Sequence, residues 1–105
     1  MSAISINKHN FQEEILNSDK NVLIDFFADW CGPCQRVSPV IDEIARENPD
    51  IKVGKINVDQ EPELAQRFGV MSIPTLVIVK NGKVVEQAVG ARGKADVAAM
   101  LSRHL

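Results

Sequence analysis

The chain has 105 residues, 45% of them apolar, and carries 12 basic against 14 acidic side chains for a net charge of -2. That length suits one domain, and the apolar share is enough to fill one layered core. The near balance of charge gives no electrostatic case for nucleic acid or an anionic membrane as the main partner. The aliphatic content excludes a disordered chain, and no apolar run approaches the roughly 18 residues of a membrane span.

Ile4 and Ile6 alternate with polar residues as a short first strand, after which Asn7 caps a helix with Phe11, Ile15 and Leu16 on its apolar face. Residues 18–21 end that helix. Residues 22–28 are almost continuously apolar, the pattern of a central strand covered on both faces, and Asp25 interrupts them. Val37, Val40, Ile41, Ile44 and Ala45 recur at helical spacing, predicting a helix that ends near Asn48-Pro49 and kinks at the internal Pro39. Residues 51–58 read as a strand, and residues 61–68 as a short helix capped by Gly69. Residues 75–80 and 83–89 flank Asn81-Gly82, a strong hairpin signal. Residues 93–105 close the chain as a helix with Val97, Met100, Leu101 and Leu105 on one side. Strands alternate with helices and no repeat or linker intervenes, which predicts a single α/β domain over residues 1–105.

The chain holds two cysteines, Cys31 and Cys34. A bridge between them closes so small a loop that it removes little entropy from the unfolded chain, so it is a poor staple. Residues 1–8 show neither the charged start nor the apolar stretch of a secretory signal, and a cytoplasmic location is expected. In a reducing compartment a close cysteine pair reads as metal-binding or redox-active. A zinc site needs four ligands, yet His9 and His104 lie at opposite ends of the chain without paired spacing. Haem attachment needs a histidine where Gln35 stands. No metal is expected, both histidines are expected at the surface, and no glycine-rich motif is present to cradle a nucleotide.

The redox reading assigns different roles to the two thiols. Cys31 falls between a buried strand and an amphipathic helix, where free amides and the positive end of the helix dipole favour the thiolate. It is the candidate attacking thiol and is expected to be exposed. Cys34, one turn inward on the same side, is the candidate resolving thiol. Gly32 permits the tight turn between them, and Pro33 presets its backbone angle. Trp30, beside Cys31, is expected on the contact surface. Asp25 is costly to bury as an anion, which raises its pKa. Lys55 shares a strand face with Ile51 and Val53, predicting a partly buried lysine that needs a negative partner.

The segment Trp30-Cys31-Gly32-Pro33-Cys34, with the apolar strand before it and Ile73-Pro74-Thr75 far downstream, resembles the thioredoxin family, and the similarity spans the chain. The resemblance implies a thioredoxin fold, a central mixed five-stranded sheet flanked by four helices. It implies a protein-disulfide reductase and electron carrier working by dithiol–disulfide exchange, with no cofactor beyond the Cys31–Cys34 disulfide. The implied partners are oxidised client proteins and a thioredoxin reductase, NADPH- or ferredoxin-linked, acting on a monomer that needs neither nucleic acid nor membrane.

The same resemblance places Lys55 beside Asp25. Asp25 then becomes a candidate proton shuttle for Cys34, tuned by Lys55, with a merely structural ion pair as the alternative. It also makes Ile73-Pro74 a cis bond opposing the cysteines, with the Ile73 backbone pairing to an extended client. Trp30, Gly32, Pro33, Val58, Ile73, Pro74, Val89, Gly90 and Ala91 would line the client groove, although Gly90 reads equally well as a strand-end turn. Phe27, Gln35 and Met71-Ser72 depart from the tryptophan, lysine and arginine-glycine frequent in bacterial members, and Gln35 removes a positive charge beside Cys34. An oxidase or isomerase on this fold and a non-catalytic binding subunit are the alternative functions. Gly32-Pro33 resembles the reducing members.

Overall fold

Five strands in the computed structural model, which describes residues 3–105, form one sheet in the order β1-β3-β2-β4-β5. They are β1 (Ile4–Ser5), β2 (Val22–Phe27), β3 (Lys52–Asn57), β4 (Thr75–Lys80) and β5 (Lys83–Val89). The first three run parallel to one another, and β4 lies antiparallel between β2 and β5. This is the mixed sheet expected. Met1 and Ser2, the start of the segment read for a signal, lie outside the described residues.

The central position of β2 explains its composition. Alternate side chains of a strand point to opposite faces, and both faces of β2 are covered. Val22, Ile24 and Phe26 pack with Phe11, Ile15 and Leu64 on one side. Leu23 packs on the other with Val37, Ile41 and Ile44 of α1 (Gly32–Glu47) and with Val97 and Met100 of α3 (Lys94–Ser102). Each such aliphatic side chain, removed from water, contributes about 1.5–3 kcal/mol. Asp25 has the parity of Leu23, so it turns toward the α1 face. Gly54 is required where the chain leaving β1 runs alongside β3, because a Cβ there would meet Cγ1 of Ile6 at 2.8 Å.

Four helical segments flank the sheet, and their ends correct several expectations. The first is a single π-type turn, Gln12–Leu16, closed by the bond from the Asn17 amide to the Gln12 carbonyl. Asn7 and Asn10 cap the approach to it, each side chain accepting from the other's amide. α1 continues as helix through Pro39. α2 (Pro62–Arg67) ends in a Schellman motif, with the Gly69 amide on the Gln66 carbonyl and the Val70 amide on the Ala65 carbonyl. Asn81 and Gly82 both take positive φ, 54° and 76°, as a two-residue hairpin of the expected type requires.

α3 stops at Ser102, leaving Leu105 exposed instead of on the apolar side. The tail is held by polar bonds: the His104 carbonyl accepts from Asn21 and Lys80 side chains, and Glu86 binds both Arg103 and the His104 ring. His104 is therefore half-buried, not at the surface, while His9 is exposed. Hydrogen bonds from Arg103 and then His104 draw the Glu86 carboxyl down to about 2. No helix among the described residues is long and apolar enough to cross a membrane.

Candidate active site

The site forms where β2 hands over to α1. Ala28 accepts the Cys31 amide at 3.2 Å, tightening the turn, and Cys31 then serves as N-cap in an extended conformation with Pro33 in the first helical turn. The Cys31 Sγ accepts the Cys34 amide at 3.2 Å, one of the free donors at a helix start. Cys31 and Cys34 are joined as a disulfide with Cα atoms 5.2 Å apart. The expected exposure of Cys31 is not found in this oxidised state. Cys31 is 4% and Cys34 3% exposed. The bridged cysteines pack against Ala28, Phe27, Val58 and Ile73. What separates the two thiols is position on the helix: Cys31 caps it, and Cys34 lies within its first turn.

The Ile73–Pro74 bond is cis, and the Ile73 carbonyl stands 3.9 Å from the Cys31 Sγ, across from the start of α1. Two bonds hold this segment. Thr75 Oγ1 donates to the Ser72 carbonyl at 2.6 Å, and the Gly90 amide donates to the Pro74 carbonyl at 2.8 Å. Gly90 takes φ of 101°, the strand-end turn reading of it: it turns the end of β5 and brings its backbone to Pro74. Trp30 is 72% exposed, on the surface as its place implied, and its Nε1 donates to Asp59 Oδ2 at 2.8 Å.

The apolar hollow beside the disulfide, about 420 Å³, is lined by Trp30, Val58 and Ile73 as expected, and also by Val70, Met71 and Ser72. Gly32, Pro33 and Pro74 are not part of its wall, and neither are Val89, Gly90 and Ala91. The last three follow Pro74 along the end of β5, with Val89 and Ala91 exposed and Gly90 half-buried. Met71, 96% exposed, was not legible as a lining residue, because nothing in its spacing distinguishes it from a loop side chain.

Beneath the disulfide lies a second cavity of about 190 Å³, lined by Asp25, Cys34, Gln35, Ser38 and Lys55 among others. It brings together three of the candidate catalytic residues, Asp25, Cys34 and Lys55. Asp25 is 1% exposed, and burial lifts its carboxyl to about 6 against the opposing pull of the Lys55 charge, with Asp42 adding to the rise. Asp25 and Lys55 face each other across the β2–β3 ladder, as the resemblance implied, but their charged ends do not pair. The Lys55 ammonium turns to Ser38 Oγ at 2.6 Å and Asp42 Oδ1 at 3.2 Å, while Asp25 Oδ1 has no hydrogen-bond partner. The negative partner that Lys55 requires is Asp42. Ser38 and Asp42 were missed, although their spacing of four and eight residues from Cys34 was visible.

Among the described residues no three histidine, cysteine or acidic side chains gather as a metal site, and the redox group is the disulfide itself. The family model described as Thioredoxin matches residues 2–103. The chain is similar to Thioredoxin 1 of Nostoc sp., 46% identical over 99% of this chain and 98% of that protein. It is similar to Thioredoxin 2 of Chlorobaculum tepidum, 50% identical over 91% and 89% of the respective chains. Thioredoxin of Mycobacterium bovis is 47% identical over 96% of this chain and 88% of its own length. With a paired Cys31-Gly32-Pro33-Cys34 at a helix start beside a cis proline, the chain belongs to the thioredoxin family and is a thiol–disulfide oxidoreductase acting on protein disulfides by dithiol–disulfide exchange.

Proposed function

We propose that Cys31, as thiolate, attacks a client disulfide and that Cys34 resolves the resulting mixed disulfide. In the first step a Cys31–client S–S bond forms, the client S–S bond breaks, and the departing client sulfur takes a proton. In the second, Cys34 loses its proton to Asp25 and attacks the Cys31 sulfur, expelling the second client thiol. Two electrons pass to the client, and the Cys31–Cys34 bond closes. The single observation that carries this assignment is the Cys31 Sγ capping α1, where the Cys34 amide and the helix dipole stabilise negative charge on sulfur.

Asp25 supports its part by position. It borders the same cavity as Cys34, the space admits water molecules as relays, and a carboxyl raised to about 6 is matched to proton transfer near neutrality. The client binds as an extended segment whose backbone pairs with Ile73 and whose apolar side chains lie against Trp30, Val58 and Ile73. Pro33, Gly32, Val89, Gly90 and Ala91 form the rim beside it. A separate reductase, NADPH- or ferredoxin-linked, restores the dithiol, so the protein works as a monomeric electron carrier in the cytoplasm. The reducing direction is supported by the Gly32-Pro33 dipeptide.

The test is to express Cys34→Ser and identify what stays attached to Cys31. Many oxidised proteins joined through Cys31 are expected. Recovery of none would overturn the exchange order, and Cys31→Ser, Cys34→Ser, which has no thiol, is the matching negative control.

A further inference from the structure

Asp25 and Lys55 are neighbours in register on β2 and β3, so the shortest route to neutralising a buried carboxylate is available. It is not used. The Lys55 ammonium is drawn instead to two groups on α1, Ser38 Oγ at 2.6 Å and Asp42 Oδ1 at 3.2 Å. These lie one and two helical turns after Cys34 and share its face. Cys34, Ser38 and Asp42 thus form a polar stripe on a helix side that otherwise packs Val37, Ile41 and Ile44 against the sheet. The stripe stands opposite the one acidic residue buried in β2.

We propose that Ser38 and Asp42 are positioning residues that hold the Lys55 ammonium off Asp25, leaving the carboxylate basic enough to take the Cys34 proton. This deepens the reading of Asp25 as proton acceptor and rests on it. An ammonium in contact with a carboxylate favours the ionised form by about 1–3 pH units. Such a carboxylate is a correspondingly poor base for a thiol. Asp42 works in two ways: it occupies Lys55, and its own negative charge raises Asp25 further. The other groups around Asp25 leave this balance to the stripe. Leu76 of β4, its antiparallel partner, is apolar, and Asp29 and Cys34 border the cavity. Without the clamp Lys55 would still tune Asp25, but toward a weaker base.

The experiment is an NMR titration of the Asp25 carboxyl in the disulfide form, where the cysteines do not titrate, for the wild type, Ser38→Ala, Asp42→Asn, Lys55→Gln and the Asp42→Asn, Lys55→Gln pair. Asp42 is 46% exposed, so its replacement leaves the core packing in place. The midpoint is expected to fall by about one pH unit in Asp42→Asn. In Ser38→Ala it should fall in the same direction, and in Lys55→Gln it should rise. The effect of Asp42→Asn should shrink to half or less once Lys55 is absent. An equal fall with and without Lys55 would show that Asp42 acts through its own charge alone and would overturn the clamp, as would a midpoint unmoved by Ser38→Ala and Asp42→Asn. The pH profile of Cys34 attack on a preformed mixed disulfide separates the two readings. If the titration shifts as expected and the profile does not follow, the clamp stands and Asp25 is not the proton acceptor.

Discussion

Replacing Asp25 by asparagine should stabilise the folded protein, and the gain should grow with pH. The carboxyl rises from its ordinary 3.8 to about 6 on folding because burial penalises its charge more than Lys55 compensates. The native state therefore binds the proton more tightly than the unfolded chain does. Its contribution to stability is fully present below pH 3.8, falls as pH rises toward 6, and is gone above that. At about 1.4 kcal/mol per pH unit, the rise corresponds to about 3 kcal/mol. Asp25 is 1% exposed, so solvent does not screen this. Asparagine keeps the shape and removes the charge, and Lys55 keeps Ser38 and Asp42 as partners. Urea unfolding of oxidised wild type and Asp25→Asn between pH 4 and pH 8, as the pH series read through one m-value, should show curves nearly coincident at the acid end. They should separate to about 3 kcal/mol at the alkaline end, which corresponds to more than about 10 °C in Tm for a domain this size. Other carboxyls, Glu86 among them, titrate alike in both proteins and cancel in the difference. A gap that does not change with pH would refute the reasoning, because it would mean that asparagine altered packing and not a buried charge.

The same carboxyl predicts a kinetic loss: Asp25→Ala should slow the attack of Cys34 on a preformed mixed disulfide by about 100-fold near neutral pH, read by stopped-flow release of a chromogenic thiol. A rate unchanged across the pH range would remove Asp25 from proton transfer. Reducing the Cys31–Cys34 bridge, with its sequence separation of 3, should cost about 2 kcal/mol in urea unfolding, since so small a loop constrains the unfolded chain little. A loss above about 4 kcal/mol would mean the bridge orders more than its own turn. Gly54→Ala should destabilise by about 2 kcal/mol in the same assay, because the new methyl meets Ile6 at 2.8 Å where the chain leaving β1 runs alongside β3. Met71→Glu should lower kcat/KM about tenfold for peptide disulfides with an apolar residue next to the cysteine, relative to peptides with a basic one there. Equal kcat/KM changes for both peptide series would take Met71 out of the client hollow.

The readings that held were those in which one local pattern has one structural solution. A nearly continuous apolar run such as residues 22–27 suits a strand covered on both faces, and β2 lies in the middle of the sheet. Asn81-Gly82 permits two successive positive φ angles and places the hairpin to the residue. The cysteine pair was legible because a bridge this short makes little sense as a staple. Misreadings arose where two interactions compete for one group. His104 and the tail after Ser102 continue a helical pattern in sequence, but the carbonyl of His104 is taken by Asn21 and Lys80, and Glu86 takes its ring. An N-cap position, outermost on α1, reads as exposed, yet the bridged Cys31 packs against Ala28, Val58 and Ile73.

Lys55 shows the same competition inside the site. Strand periodicity set it on the face of Ile51 and Val53, the resemblance placed it beside Asp25 as the register shows, and charge complementarity alone would pair them. A lysine stem spans several ångströms, however, so strand register sets where the chain starts and not where the ammonium ends. That end point is decided by α1, whose Ser38 and Asp42 offer a hydroxyl and a carboxylate at the surface side of the sheet, while Asp25 offers a carboxylate deep within it. The ammonium keeps part of its hydration beside half-exposed Asp42 and would lose more beside Asp25, so the outer partner wins. The i, i+4, i+8 spacing from Cys34 was present in the sequence throughout, but a polar stripe on an amphipathic helix reads as solvent-facing until the strand opposite it is known to carry a buried acid.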